Sequence, residues 1–148
     1  MKTEFRKVAM PKELRSLMAF DRRVFPAADC FDADYWRECE AWWLVVSGVR
    51  VGCCAFEKGG EARRFLYIGT TGILPKYRGM GLGQLMKAWQ VAYARRLGYR
   101  RLVTHTRKSN AAMIALNERF GFCIVRTTPG YYEDPAEAAV FMELKLSV

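Results

Sequence analysis

Three glycines in five positions, Gly79-Met80-Gly81-Leu82-Gly83, stand where an apolar β-rich run gives way to a long amphipathic segment. Before them, Arg63 to Leu74 reads as a strand. After them, Leu82, Leu85, Met86, Trp89, Tyr93 and Leu97 share one helical face, and Gly98 suits the helix stop. A strand that turns through glycines into a helix leaves backbone N–H groups uncovered. The helix start adds orphan donors and the positive end of the dipole, so the segment is built to hold an anion. Arg78 sets a fixed positive charge beside it. Charge-assisted hydrogen bonds contribute about 1.5–3 kcal/mol each, enough for several to anchor a pyrophosphate. The competing reading is a glycine turn that only lets the helix pack tightly. Two phosphate loops are excluded by spacing: the glycines are followed by Gln84-Leu85 where a Walker loop needs Lys-Ser/Thr, and G-x-G-x-G replaces G-x-G-x-x-G.

The rest of the chain reads as one domain. Its 148 residues leave no room for a second, and 51% hydrophobic residues supply a core. No apolar h-region opens the chain and no run is long enough to span a bilayer, so no signal peptide and no membrane partner are expected, and the compartment is read as cytoplasmic. Cys30, Cys39, Cys53, Cys54 and Cys123 form an odd set without C-x-x-C spacing, which speaks against a disulfide framework or a metal site. Adjacent Cys53 and Cys54 point to opposite strand faces and read as core fillers. The net charge of +9, from 24 Lys+Arg against 15 Asp+Glu, favours an anionic partner. The arginines build no dense tail, and no helix-turn-helix, RNP or zinc pattern is present, so nucleic acid ranks last among partners.

Periodicity yields the order β-α-α-β-β-β-α-β-α-β-β. Thr3–Ala9 is a strand; a helix starts at Pro11 and ends before Pro26. Asp32 caps a short helix to Cys39. Trp42–Val46 and Val49–Phe56 form a hairpin around Ser47-Gly48, and Gly59-Gly60 breaks the run. Gly72, after Thr70-Thr71, suggests a bulge or a close backbone approach. Arg101–Thr106 is a strand, Ser109 or Asn110 caps a helix to Phe120, and Phe122–Thr127 and Ala139–Leu146 close the chain around a Pro129-Gly130 turn. Hairpins plus a βαβ crossover imply an α/β (α+β) fold with a mixed sheet of six to seven strands flanked by about four helices.

Arg78-x-x-Gly81-x-Gly83, preceded by Ile73-Leu74-Pro75, resembles the acetyl-coenzyme A motif of the GNAT superfamily of N-acetyltransferases. Asn110 followed by Ala115-Leu116-Asn117-Glu118-Arg119-Phe120-Gly121-Phe122 resembles that superfamily's second motif. The resemblance implies acetyl-coenzyme A as cofactor and direct attack by a primary amine on the thioester. It places the pyrophosphate on backbone N–H groups of Arg78, Gly79, Met80, Gly81, Leu82 and Gly83, with Gln84 following. It pairs the pantetheine arm with Ile73 and Leu74, and sets Asn110 and Arg119 toward the cofactor. A backbone N–H at a strand bulge, matched by Thr70-Thr71-Gly72, would stabilise the oxyanion.

Two positions depart from the family pattern. Its frequent thiolate-protonating tyrosine is Asn117 here, able to hydrogen-bond sulfur or pantetheine but not to act as an acid. Its frequent strand glutamate has no counterpart in Phe65-Leu66-Tyr67-Ile68-Gly69-Thr70-Thr71, so acid and base come from elsewhere. Candidates are Tyr131, Tyr132 and Tyr67 as acid or pocket wall and His105, the one histidine, as base. Each is also readable as an ordinary packed strand residue. Phe31 and Tyr35, interleaved with Asp29, Asp32, Asp34, Glu38 and Glu40, suit a cationic acceptor, while the bland reading is a solvated acidic face. Glu133, Asp134 and Glu137 read as a solvated loop. The acceptor stays open among a small amine, an aminoglycoside-like compound, an amino acid and a protein N-terminus, and the assembly between monomer and homodimer. The alternative function is an acyl-coenzyme A-binding sensor with little turnover.

Overall fold

The computed structural model describes residues 2–57 and 64–146, which divide into two compact units, 2–57 with 69–83 and 64–68 with 84–146. The strands form a seven-stranded mixed sheet in the order β1-β2-β3-β4-β5-β7-β6, accompanied by four α-helices, as the periodicity predicts.

In the first unit, β1 (Thr3–Lys7), β2 (Cys39–Val46) and β3 (Val49–Glu57) pair antiparallel. The β2–β3 turn is Ser47-Gly48, both at positive φ (48° and 81°). That turn matches the right-handed twist of the strands it joins. Strand β2 starts three residues earlier than its apolar pattern implies, because Cys39 and Glu40 still find partners in Glu57 and Phe56. Helix α1 (Leu14–Val24) buries Leu14, Leu17, Phe20 and Val24 on one face. It begins at Leu14 rather than at Pro11: the Glu13 carboxylate is spent on the Ala9 N–H (2.8 Å) and on Arg50, which holds residues 10–13 as a turn. Helix α2 (Ala33–Glu38) is capped by Asp32, whose side chain accepts the Tyr35 N–H, as expected. Trp36, Trp43, Leu17, Cys53 and Ala55 close the core of this unit with no exposed surface. Cys54 is equally buried.

The second unit holds the start of β4 (Phe65–Ile73), which pairs parallel with β5 (Arg101–Arg107). Strand β7 (Glu137–Lys145) pairs antiparallel with both β5 and β6 (Cys123–Tyr132). Helix α3 (Leu82–Arg96) precedes β5 and α4 (Ala111–Arg119) follows it. Strand β6 runs on through Pro129-Gly130 instead of ending at Thr127. Gly130 takes φ +64° inside a register shift between Thr128 and Tyr132, so the Pro-Gly pair bends the strand without terminating it. The Gly59-Gly60 break and Arg63 lie outside the described residues.

Candidate active site

The glycine loop belongs wholly to the first unit. Strand β4 ends at Ile73, Pro75–Tyr77 make a single 3-10 turn, and α3 opens at Leu82. Gly79 and Gly81 have φ +78° and +80°, the left-handed region that favours glycine, and a Cβ on either would meet nothing within 4 Å. The glycines are therefore required by backbone conformation, and the space a side chain would fill stands open. Tight helix packing does not explain them.

Leu82 is buried, while Met80 and Gln84 are exposed. Arg78 turns inward: Nε donates to the Ile73 carbonyl (3.1 Å) and Nη2 to the Val24 carbonyl (3.2 Å), tying the loop to the ends of β4 and α1. The Leu74 N–H donates to Val51 (2.9 Å) and its carbonyl accepts from Tyr77 (2.9 Å). The Leu74 N–H is therefore engaged within the unit, and both the Ile73 and Leu74 carbonyls already accept one donor. Thr70, Thr71 and Gly72 lie inside β4, past the residues that pair with β5 (Phe65–Ile68). Gly72 fits the close backbone approach, since a Cβ there would lie 2.7 Å from Val24 Cγ1.

Also in the first unit, Phe31 stacks on Tyr35 (centroids 3.9 Å apart, planes at 16°). Buried Asp21 holds this segment by accepting the Phe31 N–H at 2.9 Å. Its burial raises the Asp21 pKa, opposed by that same hydrogen bond. The neighbouring carboxylates have local partners: Asp32 caps α2, Asp34 pairs with Arg37, and Glu40 accepts the Trp42 indole and faces Lys7. Sequence reasoning missed Glu57. It ends β3, and its Oε2 accepts the Tyr35 hydroxyl at 2.8 Å. The signal available was Gly69, an unexplained glycine inside a strand: a Cβ there would sit 1.8 Å from Tyr35 Oη and 2.9 Å from Glu57 Oε2.

In the second unit, Tyr67 of β4 and His105 of β5 are joined by a hydrogen bond between Oη and Nδ1. Around the imidazole stand Tyr131 (5.1 Å between centroids), Tyr132 (6.1 Å) and Phe141 (5.1 Å), with the Arg126 guanidinium 3.9 Å above Phe141. Burial, and secondarily the Arg126 charge, push the His105 pKa down to about 4. The ring is therefore neutral at physiological pH. Tyr131 remains 47% exposed. The loop between β6 and β7 is not simply solvated. Arg107 donates to the Glu133 and Pro135 carbonyls and to Glu137, which also accepts the Ser109 N–H.

The second motif is more structural than expected. Asn110 caps α4, its Oδ1 accepting the Met113 N–H at 3.2 Å, which leaves its amide donors. Asn117 is 1% exposed, with Nδ2 toward Met142 Sδ (3.6 Å) and Oδ1 unpaired. Its side chain packs against Met142 of β7. Arg119 is exposed on the last turn of α4.

An open glycine cradle at a helix start, on a seven-stranded mixed sheet, defines the class: N-acetyltransferases that use acetyl-coenzyme A. The model of the acetyltransferase (GNAT) family matches residues 12–122, and the chain belongs to that family. It is 31% identical over 141 residues to a probable N-acetyltransferase san of Drosophila melanogaster, covering 90% of this chain and 76% of that protein. It is 29% identical to N-alpha-acetyltransferase 50 of Danio rerio, covering 90% and 83%. The fold matches the ribosomal-protein-S18-alanine N-acetyltransferase from Escherichia coli with TM-score 0.86 at 19% identity, over 99% of this chain and 96% of that one. Neighbours of the same fold have been solved with acetyl-coenzyme A bound. No described helix is long and apolar enough to cross a membrane.

Proposed function

We propose that residues 1–148 work as one cytoplasmic acetyltransferase domain in which a primary amine attacks the thioester directly, without an acyl-enzyme. The observation that carries this reading is the open cradle at Gly79 and Gly81 in a chain of this family. Acetyl-coenzyme A, when bound, supplies the activated acetyl group. The backbone N–H groups from Arg78 to Gly83 and the first turn of α3 would bind its pyrophosphate, with Gln84 at the rim. Ile73 would pair with the pantetheine arm, and the Asn110 amide and Arg119 would approach the cofactor. The buried cysteines Cys53 and Cys54 have no role in direct attack.

His105 handles the proton in this reading. Its Nδ1 is engaged by Tyr67, so Nε2 is the atom left to accept a proton from the amine, directly or through water. A pKa near 4 keeps the ring neutral throughout the neutral range, and Nε2 is the acceptor in the tautomer whose Nδ1–H donates to the Tyr67 oxygen. Tyr67 orients the ring, and Tyr131 stands as acid or pocket wall beside it. The likeness to an N-alpha-acetyltransferase supports a peptide amino group as acceptor, alongside small amines. The test is calorimetry with acetyl-coenzyme A on wild type, Gly81→Ala and Gly81→Glu, followed by thiol release with an amine panel. Binding lost in the glutamate variant and largely kept in the alanine variant supports the cradle. A folded wild type that does not bind overturns it, and binding without turnover on any amine moves the reading to an acyl-coenzyme A sensor.

A further inference from the structure

The pair formed by Tyr35 and Glu57 has no part in binding the cofactor or in the proton transfer above. Among the described residues, half-buried carboxylates of this basic chain are paired with arginine: Glu13 with Arg50, Glu137 with Arg107, Glu143 with Arg101. Glu57 differs. It is half-buried at the end of β3, it accepts one phenol O–H, and among the described residues no lysine or arginine pairs with it. A carboxylate withdrawn from water and given a single neutral donor keeps unused acceptor capacity. A cation with N–H donors satisfies that capacity best.

The surroundings suit such a visitor. Phe31 stacked on Tyr35 presents an aromatic face to a cation. Burial first, then the neighbouring Cys39 and Glu57, raise the Tyr35 pKa, so the phenol keeps the proton it donates. Gly69 makes the arrangement possible, since any side chain there would displace the Tyr35 hydroxyl. Gly69 also places the pair. It lies four residues before Ile73 on the same strand, roughly 13 Å at 3.3 Å per residue, in the same unit as the glycine loop.

We infer that Glu57, held by Tyr35 across Gly69, is an acceptor-specificity residue that takes a second cationic group of a dibasic acceptor. The inference rests on the acetyltransferase reading and deepens it. The second group is meant, not the reacting amine. An ion pair with a carboxylate raises an ammonium's pKa and withholds the lone pair that must attack. The shared chemistry is an amine carrying another ammonium or guanidinium close by. A diamine and a peptide with a basic second residue both present it.

Matched acceptors separate the possibilities: cadaverine against pentylamine, and peptides with lysine against norleucine at the second residue. Initial rates of thiol release would be measured for wild type, Glu57→Gln and Tyr35→Phe, with melting temperatures alongside. The expected result is a wild-type preference for the dibasic member of at least about tenfold in kcat/KM, carried mainly by KM. Glu57→Gln should erase that preference, leaving the monobasic acceptor and the KM for acetyl-coenzyme A within about twofold. The arm that shows the preference identifies the source. Should Glu57→Gln fail to fold, Tyr35→Phe, which keeps the ring and removes the donor, must weaken the preference several-fold. Equal wild-type rates within every pair, or a preference that survives both variants, would overturn the inference while the acetyltransferase reading stands. A wild type that binds acetyl-coenzyme A and acetylates no amine would overturn both.

Discussion

The glycine loop of the first unit and the histidine cluster of the second do different kinds of work with different parts of the chain. The loop works through backbone. Gly79 and Gly81 take positive φ beside open space, and the one conspicuous side chain, Arg78, is spent on the Ile73 and Val24 carbonyls. The cluster works through side chains. Tyr67, His105, Tyr131 and Phe141 come from four strands, and their packing sets the protonation of the imidazole. A backbone site is broken by a charged side chain placed in its cradle and is indifferent to pH. A side-chain site tolerates backbone change but follows titration and packing.

The largest effect expected from this contrast is at the loop. Gly81→Glu should weaken acetyl-coenzyme A binding at least about 100-fold, since it combines a like charge with a side chain in the cradle. Gly81→Ala isolates the conformational part, a cost of about 1–2 kcal/mol for a left-handed L-residue, and should keep most of the affinity. If both variants bind like wild type in calorimetry, the pyrophosphate does not sit on this loop.

Next comes the cluster. His105→Gln should lower kcat about 100-fold or more, leaving the acetyl-coenzyme A dissociation constant within about twofold. Tyr67→Phe, which removes only the orienting hydroxyl, should lower kcat about tenfold. Steady-state kinetics with equilibrium binding on the same preparations checks both. Equal losses in binding and turnover would mean that the cluster is merely structural.

A smaller, pH-dependent effect follows from the lowered His105 pKa. Between about 4 and the ordinary value of 6.5 the unfolded chain binds more protons than the folded one. Folding stability therefore rises with pH across that window, and the loss on acidification is complete below it. Urea unfolding from pH 4 to 7 should show this slope in wild type and a shallower one in His105→Gln. For the same reason, the acid limb of kcat should not come from His105 above about pH 5.

The smallest effect is expected at Asn117. Exchanging its buried amide for the similar-sized leucine removes an unpaired Oδ1, so stability should change by no more than about 1 kcal/mol. With the side chain buried, kcat should stay within about twofold. A large drop in kcat without a change in melting temperature would return Asn117 to the chemistry.

Much of the fold was legible because its signals are local. Apolar periodicity placed the described strands and helices in order, Asp32 announced its cap, Ser109-Asn110 narrowed the next to two residues, and Ser47-Gly48 announced its turn. Errors fell where a partner outside the segment intervened. Glu13 delays α1 by bonding Ala9 and Arg50, and β7 carries β6 past Pro129-Gly130. The anion loop was legible for the same local reason: backbone that must take positive φ is written as glycine.

What the residues by themselves determined is thus the family, the element order and the glycine loop, each a matter of spacing within a few residues. Only the tertiary structure decided which candidates meet and which are buried. It joined Tyr67 to His105 across 38 residues of chain, withdrew Asn117 into the core, and set Glu57 against Tyr35 over Gly69, 22 residues from the phenol that holds it. The reason is that a side chain's proton affinity, its exposure and its partner are properties of its surroundings. In a sheet those surroundings come from neighbouring strands that lie far apart in the sequence.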